Sequence, residues 1–359
     1  MVRAGRRRQG SERQLSARPP SPHGRGEPPL LEQGLWHPVA CGTGVGGAQP
    51  LGCVLLEREV VLWRDASGDV HAFEDRCPHR GTRLSIGRVL EQGLECAYHG
   101  WCFGARGRCE RIPALPEFQP TQAHAARAYE AAERYGLVWV RLAAADALPA
   151  ALAGPPPFPH HGDPRLRTLV CGPYDVATSA PRVVENFLDL AHFAFVHEGS
   201  LGSREHPRID DYTVQALPDA AGVVATGCRA WQPRSNLLAG EGAWVDYGYR
   251  VTGPYSAVLT KRPQDWRDYD EAIALFVQPV TQESSRAWFV LAMTAGSADD
   301  DAIRAFQDAV FAQDRPIVEA QRPRRLPLAP QAEAPCAADR LSQAYRRYLS
   351  SLGVGFGTC

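Results

Sequence analysis

Residues 77 to 101 read CPHRGTRLSIGRVLEQGLECAYHGW. A Cys-x-His pair, Cys77 and His79, is followed after sixteen intervening residues by a Cys-x-x-His pair, Cys96 and His99. Four soft or borderline donors in two close pairs define a metal site. Zinc sites usually draw their cysteines from one Cys-x2-Cys pair, and a zinc or purely structural site is the alternative reading. Here each pair mixes one thiol with one imidazole. That pattern suits a [2Fe–2S] cluster with Cys77 and Cys96 on one iron and His79 and His99 on the other. Neutral imidazoles in place of thiolates remove negative charge and raise the reduction potential. Gly81 and Gly100, just beyond each pair, supply the backbone freedom for tight loop closure.

Such a cluster needs only about 110 residues, so the other two hundred invite a second centre. The stretch ENFLDLAHFAFVHEG (185 to 199) carries Asn186, Asp189, His192 and His197. The first three are spaced by three, which predicts one face of a helix. His197 lies about 140° further round an ideal helix, so the imidazoles converge only if the helix ends or distorts between them. Gly199 supports an ending nearby. Two histidines and a carboxylate form the facial triad of non-haem Fe(II) oxygenases. Two histidines simply packed on an apolar helix are the bland alternative.

The elements that must position these groups divide the chain. Residues 1 to 29 are rich in Arg, Ser, Gly and Pro without apolar periodicity and read as a disordered basic tail. From residue 30 to 145, short β-type runs such as CVLLEREVVLWRD, DVHAFED and RYGLVWVRL are broken by Gly and Asp turns, predicting a small all-β domain around the cluster. The proline-rich segment 146–166 reads as a linker. Residues 167 to 359 form the second domain. Within it YTVQAL, GVVATGCRAW, WVDYGYRVTG, EAIALFVQPV and RAWFVLAMTA predict an antiparallel sheet. A helix follows with Ser297 as N-cap, Ile303, Phe306, Val310 and Ile317 at helical spacing, and a kink from Pro316 near Ala312. AADRLSQAYRRYL closes the chain as a last helix. The fold class is α+β, with the all-β cluster domain joined to a catalytic domain of antiparallel sheet and helices.

Composition excludes several classes. The net charge of −1 argues against non-specific nucleic-acid binding by the whole chain. No stretch approaches the ~20 apolar residues that span a bilayer. Residues 1 to 27 hold seven Arg and two acids, a net of +5, leaving 32 bases and 38 acids elsewhere. Arg6, Arg7 and Arg8 lack the apolar segment of an export signal. Of the ten cysteines, the eight outside the motif are scattered as reduced thiols would be, Cys102 and Cys109 among them as packing residues. The expected location is the cytoplasm. GTGVGG (42 to 47) satisfies G-x-G-x-x-G, but strand-like sequence follows where a dinucleotide site needs a helix, so it reads as a loop.

The two signatures together resemble the oxygenase component of Rieske non-haem iron oxygenases, from about Trp36 to Leu349. The first stretch resembles the Rieske motif, including Pro78 and the His99-Gly100-Trp101 run. Arg80, Gly81, Gly100 and Trp101 stand just past the ligand pairs, without the disulfide cysteines of the respiratory branch. The family's Asn-x-x-Asp-x-x-His-x4-His pattern falls on Asn186, Asp189, His192 and His197. The resemblance implies a helix-grip-like catalytic domain in which His192 and His197 bind a mononuclear Fe(II). It implies that Asp189 bridges to a cluster histidine of the neighbouring subunit in a head-to-tail ring, a homotrimer. FAQDRPIVEAQRP is similar to the vanillate O-demethylase branch, where the Asp is the third ligand. This implies Asp314, with Asp301 and Asp308 as rivals and Glu319 and Gln321 as outer groups. O2 and a small-molecule substrate meet at that iron. Electrons arrive from NAD(P)H through a separate reductase, or a ferredoxin plus reductase. Hydroxylation of an O- or N-methyl group gives a product that collapses to formaldehyde; hydroxylation elsewhere gives a stable alcohol. The substrate is read as aromatic or otherwise apolar, with Arg250 or Arg262 available to pair a carboxylate. An amine or natural-product intermediate, or a pure electron carrier lacking the second iron, are the competing readings.

Overall fold

The computed structural model describes residues 30–144, 148–234, 242–264, 270–294 and 299–359. The basic tail and Ser297 lie outside the described residues.

The first half is built almost wholly of strands: β1 His37–Cys41, β2 Leu51–Leu55, β3 Arg58–Arg64, β4 Val70–Glu74, β5 Arg88–Leu90, β6 Gly93–Glu95, β7 Cys102–Phe103, β8 Cys109–Arg111, β9 Ala128–Arg134 and β10 Leu137–Arg141. Six form a sheet ordered β1-β10-β9-β4-β3-β2, and β5 to β8 form a four-stranded sheet in sequence order. GTGVGG lies between β1 and β2 as a single 3-10 turn, Gly42–Gly44, followed by loop, with no α-helix starting in it. The β2–β3 hairpin turns through Leu56 and Glu57, both at positive φ (50° and 62°). Their amides donate to Pro279 and Val280 carbonyls across the domain boundary, which holds the unusual turn in place.

The second half adds β11 Leu166–Val176, α1 Ala180–Leu188, α2 Phe193–Val196, β12 Thr213–Ala216, β13 Val223–Gln232, β14 Ala243–Gly253, β15 Ser256–Pro263, β16 Glu271–Thr281, β17 Ser284–Thr294, α3 Asp300–Ala320 and α4 Arg340–Leu352. The strands make one antiparallel sheet ordered β11-β17-β16-β15-β14-β13-β12. Strand β11 begins at the end of the segment expected to be a linker and pairs with β17. A bulge between Cys171 and Tyr174 interrupts its alternation, which hides it from pattern reading.

Alternation sorts this sheet's two faces. Ala272, Ala274, Phe276, Trp288, Val290 and Ala292 face the first domain and pack with Tyr135, Leu137 and Trp139. Burying Phe276 alone contributes roughly 1.5–3 kcal/mol. The opposite face, including Leu275, Phe289 and Leu291, packs with α1, α3 and α4 through Val183, Leu188, Phe311, Val318, Tyr345 and Leu349. Both faces being covered explains why EAIALFVQPV reads as a nearly continuous apolar run.

Helix α3 starts on Asp299, whose side chain accepts from the Ala302 amide. It continues through Pro316 to Ala320. Arg346 on α4 pairs with Glu185 on α1 at 2.6 Å, and Arg182 pairs with Glu333 at 2.7 Å, so buried ion pairs tie α1 to the C-terminal segment. Among the described residues, no helix is long and apolar enough to cross a membrane.

Candidate metal centres

The two cysteine–histidine loops close in the same way. The Cys77 amide donates to the Thr82 carbonyl and the Gly81 amide to the Cys77 carbonyl; Cys96 with Trp101, and Gly100 with Cys96, repeat both bonds at 2.8 to 3.0 Å. Gly81 and Gly100 adopt φ of 75° and 67°, the left-handed region that side chains disfavour. Sequence spacing thus produces two matching hooks. Cys77 and Cys96 are both 2% exposed, at the inner side of the hooks. His79 and His99 meet edge-to-face with ring centroids 4.5 Å apart. His79 also stacks on Trp101, with planes 2° apart. Its Nδ1 is buried without a hydrogen-bond partner. Burial, with the neighbouring Cys96, pushes the Cys77 thiol up to about 12, partly offset by the His79 amide. These are properties of metal donors: coordination would satisfy the orphaned Nδ1 and keep the buried thiol as thiolate. Cys109 packs into the core beside them, and Cys102 is buried on β7.

The second cluster is assembled from three helices. Helix α1 carries Asn186 and ends at Leu188; Asp189 leaves it in an extended conformation. His192 caps the start of α2 and His197 its end, with Gly199 following at φ 82°. The single helix expected through Asn186, Asp189 and His192 is therefore two short ones. The break at Asp189 accompanies a local turn in which its carboxylate accepts from the Ala191 amide at 2.8 Å. The expected ending between the two histidines is present, after Val196.

Across the interior, α3 delivers Asp314. Its Oδ1 lies 3.5 Å from His192 Nε2 and 3.2 Å from His197 Nε2. It is buried and makes no hydrogen bond. One donor atom from each of the three residues falls within 4.8 Å of the others. Both imidazoles are held from behind. His192 Nδ1 faces Asp189 Oδ2 at 3.3 Å, and His197 Nδ1 donates to the Gln313 Oε1 at 2.8 Å. Each ring thereby turns Nε2 inward, the tautomer and orientation a metal requires. Burial opposes a charged His197, but Asp314 and Gln313 outweigh it and raise its pKa. Burial likewise pushes the Asp189 carboxyl up, while His192 and two backbone amides outweigh it and hold it below the usual range. The orphaned Asp314 oxygen between two inward nitrogens fits a divalent metal ion.

The rival carboxylates are elsewhere. The Asp301 side chain is 99% exposed, and Asp308 accepts a 2.5 Å hydrogen bond from the Tyr174 hydroxyl. Glu319 accepts from the Ala177 amide rather than supporting the histidines. Gln321 caps the end of α3. The α3 residue that does support a histidine, Gln313, gave no sequence signal: it is simply the neighbour of Asp314.

The triad opens into a cavity of about 280 Å³ lined by Asn186, Phe187, Leu201, Ile273, Phe289 and Gln307 among others. Arg250 and Arg262 do not line it; both are exposed on the other face of their strands, and Arg262 pairs with Asp270 at 2.5 Å. Lys261, one residue earlier, points inward instead.

Comparison with known proteins agrees with this geometry. Residues 35–128 match the Rieske [2Fe-2S] domain and residues 176–354 the vanillate O-demethylase oxygenase C-terminal domain. The probable methylxanthine N7-demethylase NdmC of Pseudomonas sp. (strain TJI-51) is 39% identical over 224 residues, covering 62% of this chain and 77% of that protein. The methylxanthine N1-demethylase NdmA of Pseudomonas putida is 30% identical, covering 89% of this chain and 88% of that one. The structure of NdmA from Pseudomonas putida CBB5 with caffeine superposes with a TM-score of 0.77 at 28% identity, covering 89% and 90% of the two chains. The chain belongs to the Rieske non-haem iron oxygenases, as an oxygenase component. It is an oxidoreductase of the monooxygenase and demethylase type acting on small molecules, with a Rieske cluster, a mononuclear iron and electrons from a separate reductase.

Proposed function

We propose that this chain removes a methyl group from the nitrogen or oxygen of a small, apolar, one- or two-ring aromatic or heteroaromatic molecule. Cys77 and Cys96 hold one cluster iron, His79 and His99 the other; His192, His197 and Asp314 hold the mononuclear iron. The observation that carries this reading is the meeting of two inward-facing imidazoles and an unshared carboxylate oxygen at the wall of an apolar cavity. Bound there, the iron groups supply electron storage and O2 activation, so that one oxygen atom enters a substrate C–H bond and the other leaves as water, at the cost of two electrons and two protons. The protein's part is positional. Asp189 and Gln313 fix the imidazoles, while Phe187, Leu291 and Phe289 exclude water and press the substrate's methyl group toward the triad. A hydroxylated N- or O-methyl group then releases formaldehyde without further help.

Asp189 has a second task in this proposal. Oδ2 holds His192 and Oδ1 accepts from the Ala191 amide, and the side chain is 31% exposed, leaving a carboxylate lone pair for a cluster histidine of a neighbouring subunit in a homotrimeric ring. A cytoplasmic location suits the ten unpaired cysteines. Asn186 lines the cavity beside the triad and orients substrate.

The test combines iron counting with product analysis. About three irons per chain, two in the cluster and one mononuclear, are expected. With a surrogate reductase, methylxanthines and methoxy-aromatics should yield formaldehyde in proportion to NAD(P)H used. Two irons per chain and no formaldehyde from any of them would identify an electron carrier instead.

A further inference from the structure

Across the inward face of the seven-stranded sheet, paired residues form rows. Tyr247 on β14 sits opposite Lys261 on β15, Lys261 opposite Glu271 on β16, and Glu271 opposite Met293 on β17. All four line the cavity. The next inward rows are apolar: Leu259, Ile273 and Leu291, then Leu275 and Phe289. A lysine and a glutamate thus interrupt a wall that is otherwise apolar along these strands. Lys261 is 8% exposed and the Glu271 side chain 12%. Their charged atoms are 3.6 Å apart, close enough to attract but longer than a hydrogen bond. Desolvating two charges is costly, and a buried ion pair is often no more stabilising than apolar residues of similar volume. Stability alone is a weak reason for the pair; its place on the wall of the reaction cavity is a better one.

We propose that Lys261 and Glu271 form the substrate-orienting subsite and that it recognises a neutral lactam or imide edge. Lys261 Nζ donates to a ring carbonyl while Glu271 accepts from the adjacent ring N–H. This rests on the demethylase reading and deepens it. The chemistry favours a neutral edge over a carboxylate. Lys261 already faces Glu271 at 3.6 Å, so an anion placed against Lys261 would meet the glutamate's charge at close range. An amide edge uses both groups and leaves the net charge of the site unchanged. The cavity volume, at the small end for ligand clefts, suits one or two rings. With one edge held at the polar row, a ring's remaining apolar side lies along Leu259, Ile273 and Leu291.

The experiment uses the metal-loaded full chain with a surrogate reductase and three probes. Theobromine carries an imide N–H between two carbonyls, caffeine has that nitrogen methylated, and 3-methoxybenzoate carries a carboxylate. Glu271→Met should raise KM for theobromine about tenfold or more, change that for caffeine far less, and leave kcat nearly unaltered, the pattern of lost uniform binding. Lys261→Met should raise KM for both xanthines. Because either variant removes one charge of a buried pair, the exchanged pair Lys261→Glu with Glu271→Lys is the folding control. It keeps both charges, and the cluster's visible absorption and the melting temperature should stay normal while the wild-type KM is not restored. Unchanged KM in both single variants, recovery of wild-type KM by the exchange, or a wild-type preference for 3-methoxybenzoate would each overturn the proposal. If the wild type releases formaldehyde from none of the probes, the demethylase reading fails separately. Calorimetric titration of theobromine then decides the subsite alone: weaker binding to Glu271→Met supports it, and equal affinity overturns it.

Discussion

The cluster loops and the mononuclear triad are the two proposed metal sites, and they are written into the chain in opposite ways. Each cluster loop is local. Its donors lie two or three residues apart, its closing hydrogen bonds span four or five, and its glycine supplies the one backbone conformation the turn needs. The triad is assembled at long range, with Asp314 reaching His192 and His197 from a helix more than a hundred residues away. A locally encoded site can be transplanted between proteins and says nothing about substrate. A site assembled from helices over a sheet shares its walls with the substrate cavity, so its surroundings must change when the substrate does.

The strongest way to break this comparison is to remove one centre and watch the other. Asp314→Ala should lose one iron per chain and lower turnover by at least about a thousandfold, the order expected when a catalytic metal is lost. The cluster's visible absorption should survive, because its loops close without α3. Cys96→Ser should do the reverse, abolishing that absorption while the mononuclear site still binds Fe(II) or Co(II). Loss of both centres in either variant would show that the two regions fold as one unit.

A milder change tests the support behind the triad. Gln313→Leu removes the acceptor that holds His197 Nδ1, with a cost of about 10–100-fold in metal affinity or turnover. Gln313→Glu keeps an acceptor and should recover most of it. Metal titration followed by activity at saturating iron separates weaker binding from poorer chemistry; equal behaviour of Leu and Gln at this position would deny Gln313 its role. In the local site the corresponding change is Gly81→Val, which forces a β-branched residue into the left-handed region at about 1–2 kcal/mol. The expected outcome is lower cluster content after purification, read as acid-labile sulfide per chain, with mononuclear iron unchanged.

The same contrast explains what could be read from the sequence. Cys77, His79, Cys96 and His99 were legible because donor type and spacing sit in one stretch, and Gly81 and Gly100 because a tight turn needs their φ. His192 and His197 were legible as a pair, but the helix break at Asp189 was not: the spacing in NFLDLAH fits a continuous helix, and the break answers to the Asp189 carboxylate turning back onto the Ala191 amide. Asp314 needed family resemblance, because Asp301 and Asp308 occupy the same helix and only the packing of α3 decides which faces inward. Gln313 and Lys261 stayed hidden for a related reason. Each becomes meaningful through a partner distant in sequence or on the next strand, whereas the more conspicuous Arg250 and Arg262 alternate outward. Strand β11 was lost behind its bulge and read partly as linker.

The smallest effect on turnover at neutral pH is expected at the seam between the two halves, where His37 is buried beside Tyr255 at a ring separation of 5.6 Å. Its Nε2 donates to the Glu32 carbonyl at 2.7 Å, while Nδ1 is buried without a partner. Glu32 in turn accepts from the Gly355 and Phe356 amides, so this corner fastens the C-terminal tail to the first domain. Burial lowers the His37 pKa from 6.5 to about 4, against the opposing hydrogen bond to the Glu32 carbonyl. The folded state therefore resists a proton that the unfolded chain accepts. Stability from the neutral ring is complete above pH 6.5 and falls as pH drops toward 4, by up to about 3 kcal/mol. His37→Leu lacks the titrating group, so its melting temperature should decline less than that of the wild type between pH 7 and 5. Both proteins should show the same turnover at pH 7.5, since His37 touches neither metal site. Parallel melting curves across that pH range would mean the imidazole titrates alike in both states and that water reaches the seam.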